Sequence, residues 1–118
     1  MAPLDFHTTL RAGAAVIALS GELDLSGAPA LDEEIGRLAT ADGVERVVLD
    51  LRDLEFLDSS GLRSVALAHR RLASAGRELA LVRGPETVQR VFEITRMDER
   101  LQFVDSPEAL GGDNGRAA

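Results

Sequence analysis

Residues 56–62 read FLDSSGL, two hydroxyls and a glycine directly behind an acid. Three kinds of chemistry suit such a cluster. Asp and Ser oxygens accept hydrogen bonds from the unpaired N–H groups that open a helix, which makes capping the commonest use of Asp58, Ser59 or Ser60. A serine with a base and an oxyanion hole beside it attacks esters and amides. A serine exposed at a helix start can also take a phosphoryl group, and with it a charge of about −1.5 to −2. The hydrolytic reading lacks its parts. There is no GxSxG elbow, and the nearest candidate base, His69, falls on an apolar helical face with Leu62, Val65 and Leu72, two turns beyond the serines. No GxGxxG or Walker-type loop is present, so kinase or dehydrogenase chemistry by this chain has no support either.

The elements that must position this cluster follow from periodicity. Leu4, Phe6, Thr8 and Leu10 alternate with Asp5, His7 and Thr9, as in a half-exposed strand, and the turn RAGA leads to a second apolar run, AVIALSG, giving an N-terminal β-hairpin. In GAPALDEEIGRLAT, Ala28, Leu31, Ile35 and Leu38 recur at helical spacing behind Ser26, the expected cap, with Pro29 in the first turn. RVVLDL, residues 46–51, reads as a strand rich in β-branched residues. A helix is expected from Gly61, with Leu62, Val65, Ala66, His69, Leu72 and Ala73 inward and Gly76 as the left-handed stop. ELALV at 78–82 is a strand, Pro85 opens a helix carrying Val88, Val91 and Phe92, LQFV at 101–104 is a last strand, and SPEAL at 106–110 a helical turn. Strands alternating with helices from residue 46 onward demand crossover connections. The expected fold is therefore a single α/β domain over 1–110, a mixed, mostly parallel sheet packed with about four helices, followed by a flexible tail at 111–118. DSSG then lies in the loop beyond the carboxyl end of a strand, where open α/β sheets meet ligands and partners.

Composition narrows the function classes. The chain has 118 residues, 45% hydrophobic and 28% charged, which suits one globular domain. A net charge of −7 disfavours direct nucleic-acid binding and fits a basic protein partner better. All 13 basic residues are arginine, read as compositional bias. Without cysteine there is no disulfide, thiol nucleophile or thiolate metal site, and His7 and His69 alone do not make a metal centre, so no metal and no cofactor is expected. No apolar run approaches the roughly 20 residues of a bilayer span, and MAPLDFHTT is unlike a signal peptide, so no direct membrane insertion and a cytoplasmic location are expected.

DLRDLEFLDSSGL, with SGELDLSGAPAL upstream and GPETVQRVFEITRMDERL downstream, closely resembles the STAS domain of bacterial anti-sigma-factor antagonists, in the same order and spacing over roughly residues 4–110. The resemblance implies a STAS-like fold and a non-enzymatic regulator. It would bind an anti-sigma factor that is itself a serine kinase, free the sigma factor for transcription, be switched off by phosphorylation, and be reset by a PP2C-type phosphatase. It places the phosphoacceptor at Ser59, with Ser60 its neighbour, and partner contacts at Asp24, Asp58, Ser60 and Gly61. Glu22 and Ser26, in and after the GELD segment at 21–24, are weaker candidates, and Asp24 could equally be a turn residue. The alternative is a STAS subunit of a transporter or of a stress-sensing assembly. One departure stands out: family members often carry glycine where this chain has Arg96, which must accept positive φ or end its helix differently.

Overall fold

The computed structural model describes residues 2–110; the tail expected at 111–118 lies outside the described residues. The expected α/β domain is present. Its five-stranded sheet has the order β1(Asp5–Arg11), β2(Ala14–Leu23), β3(Arg46–Leu57), β4(Glu78–Val82), β5(Gln102–Val104), with β1 antiparallel to β2 and the rest parallel. The connecting helices are α1(Ala28–Ala39), α2(Ser59–Ser74) and α3(Glu86–Ile94). Three α-helices are found where about four were expected; SPEAL forms a 3-10 turn, Pro107–Leu110, and a second one spans Met97–Glu99.

The parallel connections all step the same way across the sheet, and right-handed crossovers then put every helix on one face. Contacts agree with this: Thr8 donates to Glu34 of α1, and Phe92 of α3 meets Phe103 edge-to-face at 5.1 Å, both strand residues belonging to the helix-covered face. The core lies between this face and the helices, built from Ile17, Leu19, Leu49, Leu81, Leu31, Ile35, Leu72 and Phe92. The chain after β5 returns over the opposite face. There Glu108 lies 3.4 Å from Arg11, and the Leu110 carbonyl accepts from Arg46.

β3 is longer than the run at 46–51 suggests. Its register against β2 shifts twice, Ala18↔Asp50 being followed by Ser20↔Asp53 and Gly21↔Leu54 by Glu22↔Phe56. Each shift inserts a residue into β3. Leu51, Leu54 and Leu57 are therefore all buried at a spacing of three, a pattern that hides a strand from any search for period two. The stripe of α2 is also rotated slightly from expectation: Gly61, Ser64, Val65, Ala68 and Leu72 are buried, whereas His69 and Ala66 are half-buried and Ala73 is exposed.

Asp50 is the one charged side chain buried within the sheet among the described residues. Burial raises its pKa, but two hydrogen bonds from the Arg52 guanidinium, one from the Arg52 N–H, and the attraction of that charge outweigh it, so the net shift is downward. A carboxylate whose folded pKa is lowered contributes stability that is complete above its ordinary value of 3.8 and is lost as pH falls through the folded value. In urea titrations, the stability gap between wild type and Asp50→Asn should therefore narrow on acidification below that value; a constant gap would show that the ion pair contributes nothing. Arg96 does accept positive φ, at +64°, so Arg96→Gly should raise stability by about 0.5–1 kcal/mol, read as a higher urea midpoint at unchanged slope.

Candidate functional site

The ends of β2 and β3 meet in register, Leu23 opposite Leu57, and each strand is followed by an aspartate. Both carboxylates accept from backbone N–H groups just ahead of them, Asp58 as a helix cap and Asp24 in the turn before α1. Asp58 is the N-cap of α2, its Oδ1 accepting from the Gly61 N–H at 3.0 Å, while its carbonyl takes the Leu62 N–H at 2.9 Å. Asp24 Oδ1 accepts from the N–H groups of Ser26 and Gly27 at 3.1 and 3.0 Å. The expected cap of α1, Ser26, is not the cap: Gly27 occupies that position without a side-chain bond, and Asp24 serves the turn from three residues upstream of it. An aspartate reaches N–H groups two and three residues ahead, so the short Ser side chain is not needed.

Ser59 and Ser60 are the first two residues of α2, not members of a preceding loop. Ser59 is exposed, Ser60 half-buried. Their backbone N–H groups belong to the opening turn, whose donors have no intrahelical partner and whose dipole favours negative charge. The turn sits firmly because Gly61 lies against the end of β2. A Cβ at this position would overlap the Leu23 carbonyl oxygen and come within 2.6 Å of Leu57 Cδ1. The Asp58 N–H also donates to the Leu23 carbonyl at 3.4 Å. Gly61 is thus buried, and its part is to let strand and helix approach.

The structure brings Asp24, Asp58, Ser59 and Ser60 to one end of the sheet, together with Glu22, half-buried and paired with Phe56. Two apolar residues of these same segments were not anticipated: Leu25 is 74% exposed and Phe56 47%. The signal for Leu25 was its position between Asp24 and Ser26, off the apolar period of α1. Large apolar side chains left in water beside polar groups are what docking surfaces present. Hydrolytic chemistry finds no base here. His69 stands ten residues beyond Ser59 on the same helix, about 15 Å along its axis, beside Arg77, Leu79 and Gln102 at the far end of the sheet. Its Nδ1 is buried without a hydrogen-bond partner among the described residues. Among those residues, no cluster of His, Cys, Asp or Glu could hold a metal, and no helix is long and apolar enough to cross a membrane.

The family model for the STAS domain matches residues 5–109. The anti-sigma-F factor antagonist RsfB of Mycobacterium tuberculosis is 34% identical over 104 residues, covering 87% of this chain and 84% of that protein. The crystal structure of an anti-sigma factor antagonist from Mycobacterium paratuberculosis superimposes with a TM-score of 0.80 at 27% identity, covering 90% of this chain and 89% of the other. The Bacillus cell fate determinant SpoIIAA, solved in its phosphorylated form, shares the fold with a TM-score of 0.70 at 23% identity over 90% of this chain and 96% of that one.

The capping and packing roles separate by mutation. Asp58→Ala should cost about 1 kcal/mol, whereas Gly61→Ala, which must push β2 and α2 apart, should cost about 1–3 kcal/mol. Urea denaturation ranks them, and an Ala at 61 without effect would mean the junction is looser than its geometry.

Proposed function

The chain belongs to the STAS domain family, and on that premise we propose that it is an anti-sigma-factor antagonist whose docking edge is closed by a phosphate on Ser59. The observation carrying this reading is the exposure of Ser59 at the start of α2, on a turn held by Gly61 and Asp58, at the end of the sheet where β2 and β3 finish in register and lead to Asp24 and the uncovered Leu25. Relatives named as anti-sigma factor antagonists, and a protein of the same fold solved with a phosphate attached, support it. The partner would be an anti-sigma factor with serine-kinase activity, and a PP2C-type phosphatase would restore the unmodified form. Asp24, Asp58 and Ser60 would line the contact, with Gly61 setting its shape.

The mechanism follows from where the charge falls. A phosphate on Ser59 brings about −1.5 to −2 next to two aspartates. In the free protein the helix start and bulk water accommodate it; exposed anions at such ends gain about 0.3–1 kcal/mol. In a docked complex the same group loses water and faces carboxylates, and an unpaired charge in an interface costs about 2–5 kcal/mol. A loss of about 2.7 kcal/mol already weakens binding roughly a hundredfold. The interface fails while the fold persists.

Incubating the protein with its anti-sigma factor and ATP, then mapping the modified peptide, tests the acceptor. Ser59→Ala should bind the partner normally and take up no phosphate; undiminished labelling of this variant would move the acceptor elsewhere. Ser59→Asp should bind at least about tenfold more weakly at unchanged circular dichroism, since a single carboxylate carries less charge than a phosphate. Equal affinity of bare and fully phosphorylated protein would defeat the electrostatic account.

A further inference from the structure

Strands at a sheet edge present unpaired N–H and C=O groups, and proteins usually blunt them by shortness, proline or charge. β5 is only three residues long. β1 is seven residues long, lacks proline, and carries its charges only at its ends, Asp5 and Arg11. Among the described residues β2 alone pairs with it. The two-residue turn, with positive φ at Ala12 and Gly13, makes Arg11 and Ala14 the hydrogen-bonded pair that closes the hairpin. Backbone groups alternate in direction along a strand, so those of Asp5, His7, Thr9 and Arg11 face β2, and those of Phe6, Thr8 and Leu10 point outward.

We infer that β1 is a dimerisation edge, pairing antiparallel with β1 of a second copy of this chain about a two-fold axis at Thr8. The strand is complementary to itself about that residue. With Thr8 opposite Thr8, Phe6 stands opposite Leu10, His7 opposite Thr9, and Asp5 opposite Arg11. Phe6, Thr8 and Leu10 are the residues whose backbone groups point outward, so they supply the hydrogen-bonded pairs. Asp5 and Arg11 fall in non-hydrogen-bonded pairs, where side chains stand closest. Opposite charges meet there twice, once on each side of the axis, and directly opposed charges of unlike sign stabilise a sheet. Leu10, 67% exposed in the single chain, gains Phe6 as an apolar neighbour on the helix-covered side. Any slip of register separates the two charges and misaligns the two apolar residues. Arg11 at present contacts Glu108 at 3.4 Å with both side chains largely in water, a contact that does not compete strongly. The interface is isologous and closes after two copies. Ser59 follows the third strand, about 10 Å from this edge at ordinary strand spacing, so the dimer would carry two open docking edges.

Sedimentation equilibrium on the full chain should show a concentration-dependent dimer. Asp5→Arg places arginine against arginine and should raise the dimer dissociation constant about tenfold or more, while Asp5→Arg with Arg11→Asp should restore it to within about threefold. Circular dichroism should be the same for all. Register is read directly, because the chain has no cysteine. Thr8→Cys would put two thiols on the axis with Cα atoms about 5.5 Å apart, within disulfide reach, and should give covalent dimer under mild oxidation. Gln102→Cys on the other edge should not. A monomer at all concentrations up to about 1 mM, a dimer indifferent to the charge exchange, or Thr8→Cys cross-linking no faster than Gln102→Cys would each overturn the proposal.

Discussion

At the carboxyl ends of β2 and β3, Gly61 packs so near the Leu23 carbonyl that a Cβ would overlap it, and the rest of the candidate site depends on this contact. It locks the first turn of α2 against the end of β2, in line with the Leu23–Leu57 rung that joins β2 to β3. A side chain at 61 would lift the helix start off the sheet and take Ser59 with it. The motif's glycine therefore acts through the distance it permits, and its acid acts through the cap it provides. Of the two serines, the first is the exposed one.

That division of labour explains how a charge can be added here without endangering the domain. The groups that hold the turn are backbone atoms and two aspartates already committed to N–H donors. The group proposed to change has no structural duty. Leu25 and Phe56, in the segments that end β2 and β3, are uncovered apolar surface. A phosphate in water beside a helix start is tolerable, whereas one enclosed against carboxylates is not.

The two faces of the sheet are covered unequally. Helices fill one side; the other is crossed by the segment after β5, anchored at Arg11 and Arg46. The buried Asp50 and its exposed partner Arg52 belong to this second face, and Arg52 also feels the nearby Glu108. The hairpin places β1 at the end of the strand order, and among the described residues no strand pairs with its outer side.

Much of this was legible in the residues themselves. Alternation in β1, helical spacing in α1, and the strand–helix order after residue 46 specify the mixed sheet, because period and connection length are local properties of the chain. Gly76 at the end of α2 was likewise readable, since left-handed backbone is a demand placed on single residues, whereas at Arg96 positive φ was one of two alternatives that the family resemblance left open. What only the tertiary structure decided was set by contacts between distant segments. The second half of β3 was invisible because bulges against β2 change its burial period from two to three. Ser26 looked like a cap, but the helix begins one residue later behind Gly27, and Asp24 takes the N–H groups of Ser26 and Gly27 in the turn that leaves β2. The exposure of Leu25 and Phe56, and the closeness of Asp24 to Asp58, arise from pairing residues more than thirty positions apart, which no local period encodes.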